Sequence, residues 1–267
     1  MAITSLDLAL AGMRPSAYIA KQASGTLVAG RPFTPFYVAG SPGAAAAPAP
    51  GVAGAALTSY GGQIPVPAAS GNTHLGRFSG VSSGQAGVLL LCDRLWHNSG
   101  ISVTTTTAQT VNSVAWPARD RNGSTDGDGV LIGLEIVTAT GAGAATPSIS
   151  YTNQAGASGK SGSMLVTYAA SSAAGTFYPF TLAAGDTGVR SIQSITLSTS
   201  MTSGSVALVA YRVLAELPLI GAGVPNAVDV VTSGMPRMYD NSVPFLIFIP
   251  STTTTTQLSG SLTCTQG

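Results

Sequence analysis

Ser205–Leu217 reads SVALVAYRVLAEL and Val130–Ile136 reads VLIGLEI. The first run is almost continuously apolar, as expected of a strand covered on both faces. In the second, Val130, Ile132, Leu134 and Ile136 share one face of a period-2 pattern, with Glu135 on the other. No ten-residue segment of the body carries a convincing helical stripe.

Val88–Cys92, Ser163–Tyr168, Thr176–Leu182, Ile195–Ser198, Phe245–Ile249 and Gln257–Thr265 read as further strands. Turn-rich clusters separate them, at Arg121–Gly129, Gly141–Pro147, Asn153–Gly162, Ala183–Gly188 and Ser200–Gly204. The Thr runs Thr104–Thr107 and Thr252–Thr256 are β-branched and polar, and are expected to add strands with a neutral, wettable face. The predicted fold is all-β, a β-sandwich or jelly-roll body over residues 72–267. Residues 1–71 are expected to form an extended N-terminal arm. It begins with a short helix, capped by Ser5 and ended by Gly12 and Pro15, and continues through the irregular stretch SPGAAAAPAPGVAG, Ser41–Gly54.

Charge is scarce. The 267 residues include 11 Lys and Arg and 10 Asp and Glu, or 8%, with a net charge of +1, against ~25% charged residues in an ordinary soluble domain. A free monomer relies on a charged coat to stay dispersed. A chain without one suits burial of its exterior in an assembly. The charge balance offers no basic field for nucleic acid. No apolar run approaches the ~20 residues of a membrane helix, and the first twenty residues do not read as a secretory signal. Neither nucleic acid nor membrane is expected as a partner.

Motifs carrying chemistry are few. Gly80-Val81-Ser82-Ser83-Gly84 matches the nucleophile elbow G-x-S-x-G, but that motif needs a helix after it and the strand expected at Val88–Cys92 follows. Gly159-Lys160-Ser161 lacks the upstream Gly of a phosphate loop, since Gln154 stands there. Asn122-Gly123-Ser124 is a formal glycosylation sequon that reads as a turn. Asp120, Asn122, Asp126 and Asp128 are the candidate metal ligands, a set of oxygen donors for Ca²⁺ without EF-hand spacing; a solvated turn is the competing reading. Cys92, Asp93 and His97 lie close in sequence, but on a strand Cys92 points away from the other two. His74 is the second histidine. Asp93, Arg94, Trp96 and His97 read as a polar patch at a strand end or subunit contact. Cys92 and Cys264 are either two buried thiols or one bridge. Trp96, Trp116 and the Phe33, Phe36, Tyr37 group are large aromatics for a core, an interface or a sugar platform. No catalytic residue and no cofactor is assigned.

The segments LLLCDRLWHNSGI, Leu89–Ile101, and PRMYDNSVPFLIFIPSTTTTTQLSGSLTCTQG, Pro236–Gly267, together with the low charge and Gly, Ala, Ser and Thr richness, give the chain its style. In that style it resembles the virion structural proteins of tailed bacteriophages, including head-decoration or cement proteins. The resemblance carries no function-defining motif, so no site residue transfers. It implies a protein made in the host cytoplasm and located in the virion. Its partners would be a major capsid protein and its own copies, often as a trimer. The alternatives are another virion role (shell subunit, tail, or receptor-binding fibre), a carbohydrate-binding β-sandwich module, and a hydrolase using Ser82.

Overall fold

The structure, a computed structural model, describes residues 3–23, 26–68 and 70–267. Residues 1, 2, 24, 25 and 69 of the expected arm lie outside the described residues. Helix α1 is Leu6–Ala11. The strands are β1 Ala17–Ala23, β2 Gly40–Ser41, β3 Ala55–Ala56, β4 Thr73–Ser82, β5 Gly87–His97, β6 Gln109–Thr110 and β7 Val130–Thr138. They continue with β8 Pro147–Asn153, β9 Lys160–Ser163, β10 Phe177–Pro179, β11 Val189–Leu197, β12 Ser205–Leu219, β13 Asn226–Val228, β14 Pro244–Pro250 and β15 Thr256–Gln266. The fold is all-β, of the β-sandwich or jelly-roll class, with antiparallel pairing of β1 with β15, β11 with β8, β12 with β7, β14 with β5 and β15 with β4.

The chain divides into two compact units. One comprises Met1–Ala46, Ser59–Asp93 and Val213–Gly267; the other comprises Ala47–Thr58 and Arg94–Arg212. The chain passes between them within β5 and within β12. This division differs from the boundary at residue 71 that the sequence suggests. Residues 17–23 are a full strand of a sheet, and residues 47–58 belong with the 94–212 unit.

In the first unit a five-stranded sheet runs β13-β4-β15-β1-β2. Its centre is β15, paired with β1 from Leu262 to Thr256 and with β4 from Gln266 to Leu258. One face buries Ile19, Ala23, Leu75, Phe78, Leu258, Leu262 and Cys264, which pack with Leu89, Leu91, Leu246 and Phe248. The last two sit on β14, which pairs with the Gly87–Asp93 part of β5. The sequence expectation for α1 holds. Ser5 caps it, its Oγ accepting from the Leu8 N–H, and the Gly12 N–H donates to Leu8 O. A helix this short is held by docking: Thr265 Oγ1 donates to Ala9 O. Lys21 is buried, with Nζ donating to Val38 O and Gly43 O at 2.7 and 3.0 Å. It straps the segment that precedes and follows β2.

In the second unit a four-stranded sheet runs β6-β11-β8-β9, and β7 lies between β10 and β12. Its core joins Ile132, Leu134 and Ile136 to Ile149, Tyr151, Ile192, Ile195, Leu197 and Leu208. Gly133 is needed where it stands, because a Cβ there would lie 2.2 Å from the Phe177 ring.

Three expectations need correction. Glu135, placed by alternation away from the core face, has no solvent exposure; β7 is covered on both faces, and the charge is met by Arg94. The strand expected over Ser163–Tyr168 stops where it was to begin. The β8–β9 ladder ends at Ser148 opposite Ser163, next to Pro147, which has no N–H to donate. Neither Thr run becomes a strand beyond Thr256. Ser102 Oγ bonds the Thr104 and Thr105 hydroxyls, and Gln85 Oε1 accepts from Thr252 N and Oγ1, so local side-chain bonds replace the ladder.

Candidate functional site

The second face of the β13-β4-β15-β1-β2 sheet is open. Along β15, alternation sends Leu258, Leu262 and Cys264 inward and leaves Gln257, Ser259, Ser261 and Thr263 on the other side, partly or fully exposed. Register aligns these into cross-strand rows. One row reads Ala227, Ser79, Ser261, Tyr18 from β13 to β1. On one side of it lies Arg77, Thr263, Ser16; on the other, Val81, Ser259, Ala20, Ser41. Ser79 and Ser261 hydroxyls bond each other at 2.8 Å, and Ser16 and Thr263 at 2.6 Å. Tyr18 is 62% exposed. A shallow groove of about 500 Å³ follows the face, lined by Tyr18, Arg77, Ser79, Asn226 and Ser261 among others. Arg77 is the one charged side chain in these rows. The face is broad, sparsely charged and hydroxyl-rich, suited to contact with another surface. Its sequence signal was the alternation in Gln257–Cys264, which became readable as a face only once β1 and β4 were known to flank it.

The proposed oxygen-donor loop is built around Asp120, which is 1% exposed. Its carboxylate accepts from Asn122 N, Ser124 N, Ser124 Oγ, Gly127 N and Asp128 N at 2.7 to 3.2 Å. Burial alone would raise this carboxyl, but the bonds from Ser124, Asn122 and Asp128 outweigh it and hold the pKa below the usual value. Asp128 accepts from Asn122 Nδ2 and Thr187 Oγ1 and lies 3.6 Å from Arg121 Nη1, while Asp126 pairs with Arg190 at 3.2 Å. The four residues are thus close together, with Asp120 organising the turn's own N–H groups. Among the described residues there is no group of three or more His, Cys, Asp or Glu placed to hold a metal ion.

The Asp93–His97 stretch is an interior feature. Asp93 accepts from Val243 N and Ser242 Oγ at 2.8 and 3.0 Å. Arg94 grips Glu135 in a two-pronged ion pair, both side chains fully buried. Arg94 Nε also donates to His97 Nδ1 at 3.3 Å. Arg119, likewise buried, donates to Leu57 O and Arg94 O. Burial, then the Arg94 guanidinium, pushes the His97 imidazole down to about 3. Burial, then Arg237, lowers His74 as well. Sequence reasoning found Arg94 and His97 but missed Glu135 and Arg119, whose partners are set by strand register and a long loop.

Ser82 ends β4, buried, its Oγ 2.6 Å from Thr256 Oγ1, and the chain turns into β5 where a nucleophile elbow would enter a helix. Lys160 stands on β9, 3.9 Å from Asp186. Asn122 and Ser124 are turn residues on Asp120. Cys92 and Cys264 are both buried free thiols, raised by burial, with Asp93 adding to the shift of Cys92; Cys264 reaches about 11. Trp96 and Trp116 pack together at 5.3 Å with their Nε1 groups donating to Ala53 O and Val189 O. Both are buried, so neither ring offers a face to a sugar. Phe36 packs with Tyr37, Tyr60 and Phe245. Among the described residues no helix is long and apolar enough to cross a membrane.

No family model matches this chain, and no curated protein matches it. Among solved structures it is similar to the VP2 subviral particle of infectious bursal disease virus, at 9% identity over 96% of this chain and 81% of that one, with a TM-score of 0.22. At that identity and TM-score the likeness carries no argument about function.

Proposed function

We propose that this chain is a virion structural protein of the head-decoration or cement kind. In this role it binds a lattice of major capsid protein, reinforces the contacts between capsomers and associates with its own copies. It is made in the host cytoplasm and resides in the virion. The observation that carries the reading is the scarcity of charge, 8% over the chain, together with the open sheet face whose described rows contain Arg77 as their one charged side chain. Such a face can be desolvated against another protein with a single ion, Arg77, left to be met by the partner, and each Å² of apolar surface buried contributes ~25 cal/mol before ordering costs. Many copies on a closed shell add avidity. The phage resemblance of the Leu89–Ile101 and Pro236–Gly267 segments supports the same reading.

The test is electron microscopy of particles assembled with and without the protein. Extra density at regular positions on the head, and greater resistance of those particles to heat, is the expected result. Density confined to the tail would replace decoration with a tail role. Absence from purified particles would reject a virion role.

A further inference from the structure

We infer that Lys160 Nζ and Asn153 Cγ are the two ends of an intramolecular isopeptide bond, an amide cross-link that the β8–β9 hairpin makes by itself with Asp186 as proton carrier. The inference is independent of the virion reading, and either can fail alone. It starts from register. Lys160 is paired with Tyr151 across the hairpin, so its side chain leaves the ladder on the face that carries Tyr151 and, two residues on, Asn153. Asp186 reaches the same spot from the turn before β11. Asn153 Nδ2 donates to Asp186 Oδ1 at 2.7 Å, Tyr151 OH donates to Oδ2 at 2.7 Å, and Lys160 Nζ lies 3.9 Å from Oδ1. An amine and a carboxamide thus converge on one carboxylate oxygen. Asn153 and the Asp186 side chain are buried, while the longer Lys160 side chain is half-buried and keeps the freedom to swing onto its target.

The carboxamide is already polarised. Asn153 Oδ1 accepts from Ala155 N at 3.1 Å and from Ala157 N at 2.9 Å. These are two backbone donors on the oxygen that gathers negative charge when an amine adds to Cγ. The bonds from Asn153 and Tyr151 hold the Asp186 carboxyl below its usual value, so it stands as the carboxylate and can accept a proton. In the reaction the Lys160 ammonium passes one proton to Asp186, and the free Nζ forms its bond to Cγ. Asp186 returns that proton to Nδ2, the Cγ–Nδ2 bond breaks, and ammonia leaves, taking the second Nζ proton to depart as ammonium. One amide is exchanged for another, the carboxylate is regenerated, and no oxidant or co-reactant is consumed. A weak base suffices because each chain reacts once, and the folded hairpin holds the partners together throughout. The bond closes the turn end of the hairpin, next to the exposed residues 155–159, where β9 has a ladder of only four residues.

The experiment is intact-mass spectrometry of the full chain after prolonged incubation at mildly alkaline pH, followed by tryptic mapping. Wild type should be lighter than its sequence by one ammonia. Trypsin should then fail after Lys160 and release residues 122–190 as one peptide, because Lys160 is the only Lys or Arg between Arg121 and Arg190. Lys160→Arg, with native circular dichroism, should keep its full sequence mass and be cut after residue 160. Asp186→Asn should form the bond about a hundredfold more slowly, and wild type held in denaturing urea should not form it. A native wild type at full sequence mass overturns the inference and leaves an ion pair. Loss of ammonia that persists in Lys160→Arg overturns it too, since that is ring closure of an asparagine on its own backbone. Loss of water in place of ammonia puts the bond on Asp186 and overturns Asn153 as the acceptor. Should Lys160→Arg misfold, fragmentation of the wild-type 122–190 peptide decides, and fragments that do not join Asn153 to Lys160 reject the bond.

Discussion

Arg94 Nη2 lies 2.7 Å from Glu135 Oε2, Nη1 lies 3.1 Å from Oε1, and neither side chain meets solvent. Two charges removed from water are tolerable only together. Breaking such a pair leaves an uncompensated ion, whereas replacing both partners by apolar groups is often neutral. Arg94→Met and Glu135→Leu should each cost about 3 to 5 kcal/mol, and the double variant should recover most of that loss. Urea denaturation of the four proteins reads the cycle. Single losses under about 1 kcal/mol would mean that the pair behaves as a surface bridge.

His97 gives the same region a pH dependence. Its folded pKa, about 3, lies below its unfolded value of 6.5. The unfolded chain therefore binds the proton first, and the stability contribution is full above pH 6.5 and is lost as pH falls toward 3. Between pH 7 and pH 4.5 the loss should be about 2 to 3 kcal/mol. His97→Gln should show a shallower acid slope, whatever its absolute stability. Equal slopes would remove His97 as the cause.

Lys21 acts at the opposite end of the scale. Burial lowers its pKa from 10.5 to about 8. Between those values the unfolded chain holds more protons than the folded one, so this contribution makes the protein more stable as pH rises from 8 to 10. The wild-type urea midpoint, measured against Lys21→Met at each pH, should climb over that window. A constant difference would show that the ammonium is not strained by burial.

The Asp120 turn is held by a carboxylate with five donors. Hydrogen bonds to a charged group contribute roughly 1.5 to 3 kcal/mol each before coupling. Asp120→Ala should therefore lower stability by several kcal/mol and speed amide exchange at Asn122, Ser124 and Asp128. Adding Ca²⁺ should leave the melting temperature of the wild type unchanged, since the central carboxylate is already engaged. A clear rise with Ca²⁺ would identify Asp120, Asn122, Asp126 and Asp128 as a cation site.

Local pattern was enough to locate much of the strand framework. The apolar run in β12, the period-2 stripe in β7, the buried run of β14 and the cap of α1 by Ser5 are all written within a few residues of themselves. Local pattern failed where a distant partner decides. The Thr runs have strand propensity, but Ser102 and Gln85 take their hydroxyls and N–H groups. Residues 17–23 looked like part of an arm because their sheet partner, β15, lies more than two hundred residues away in the chain.

Alternation and composition are properties of neighbouring residues, and they are enough to read the protein as all-β and sparing of charge, at 8%. That Glu135 is interior, that Asp120 serves its own turn, and that Tyr18, Ser79 and Ser261 share one open row became visible only in three dimensions. Each of these depends on strand register, which brings together groups from remote parts of the chain and sets which polar atoms find partners out of water.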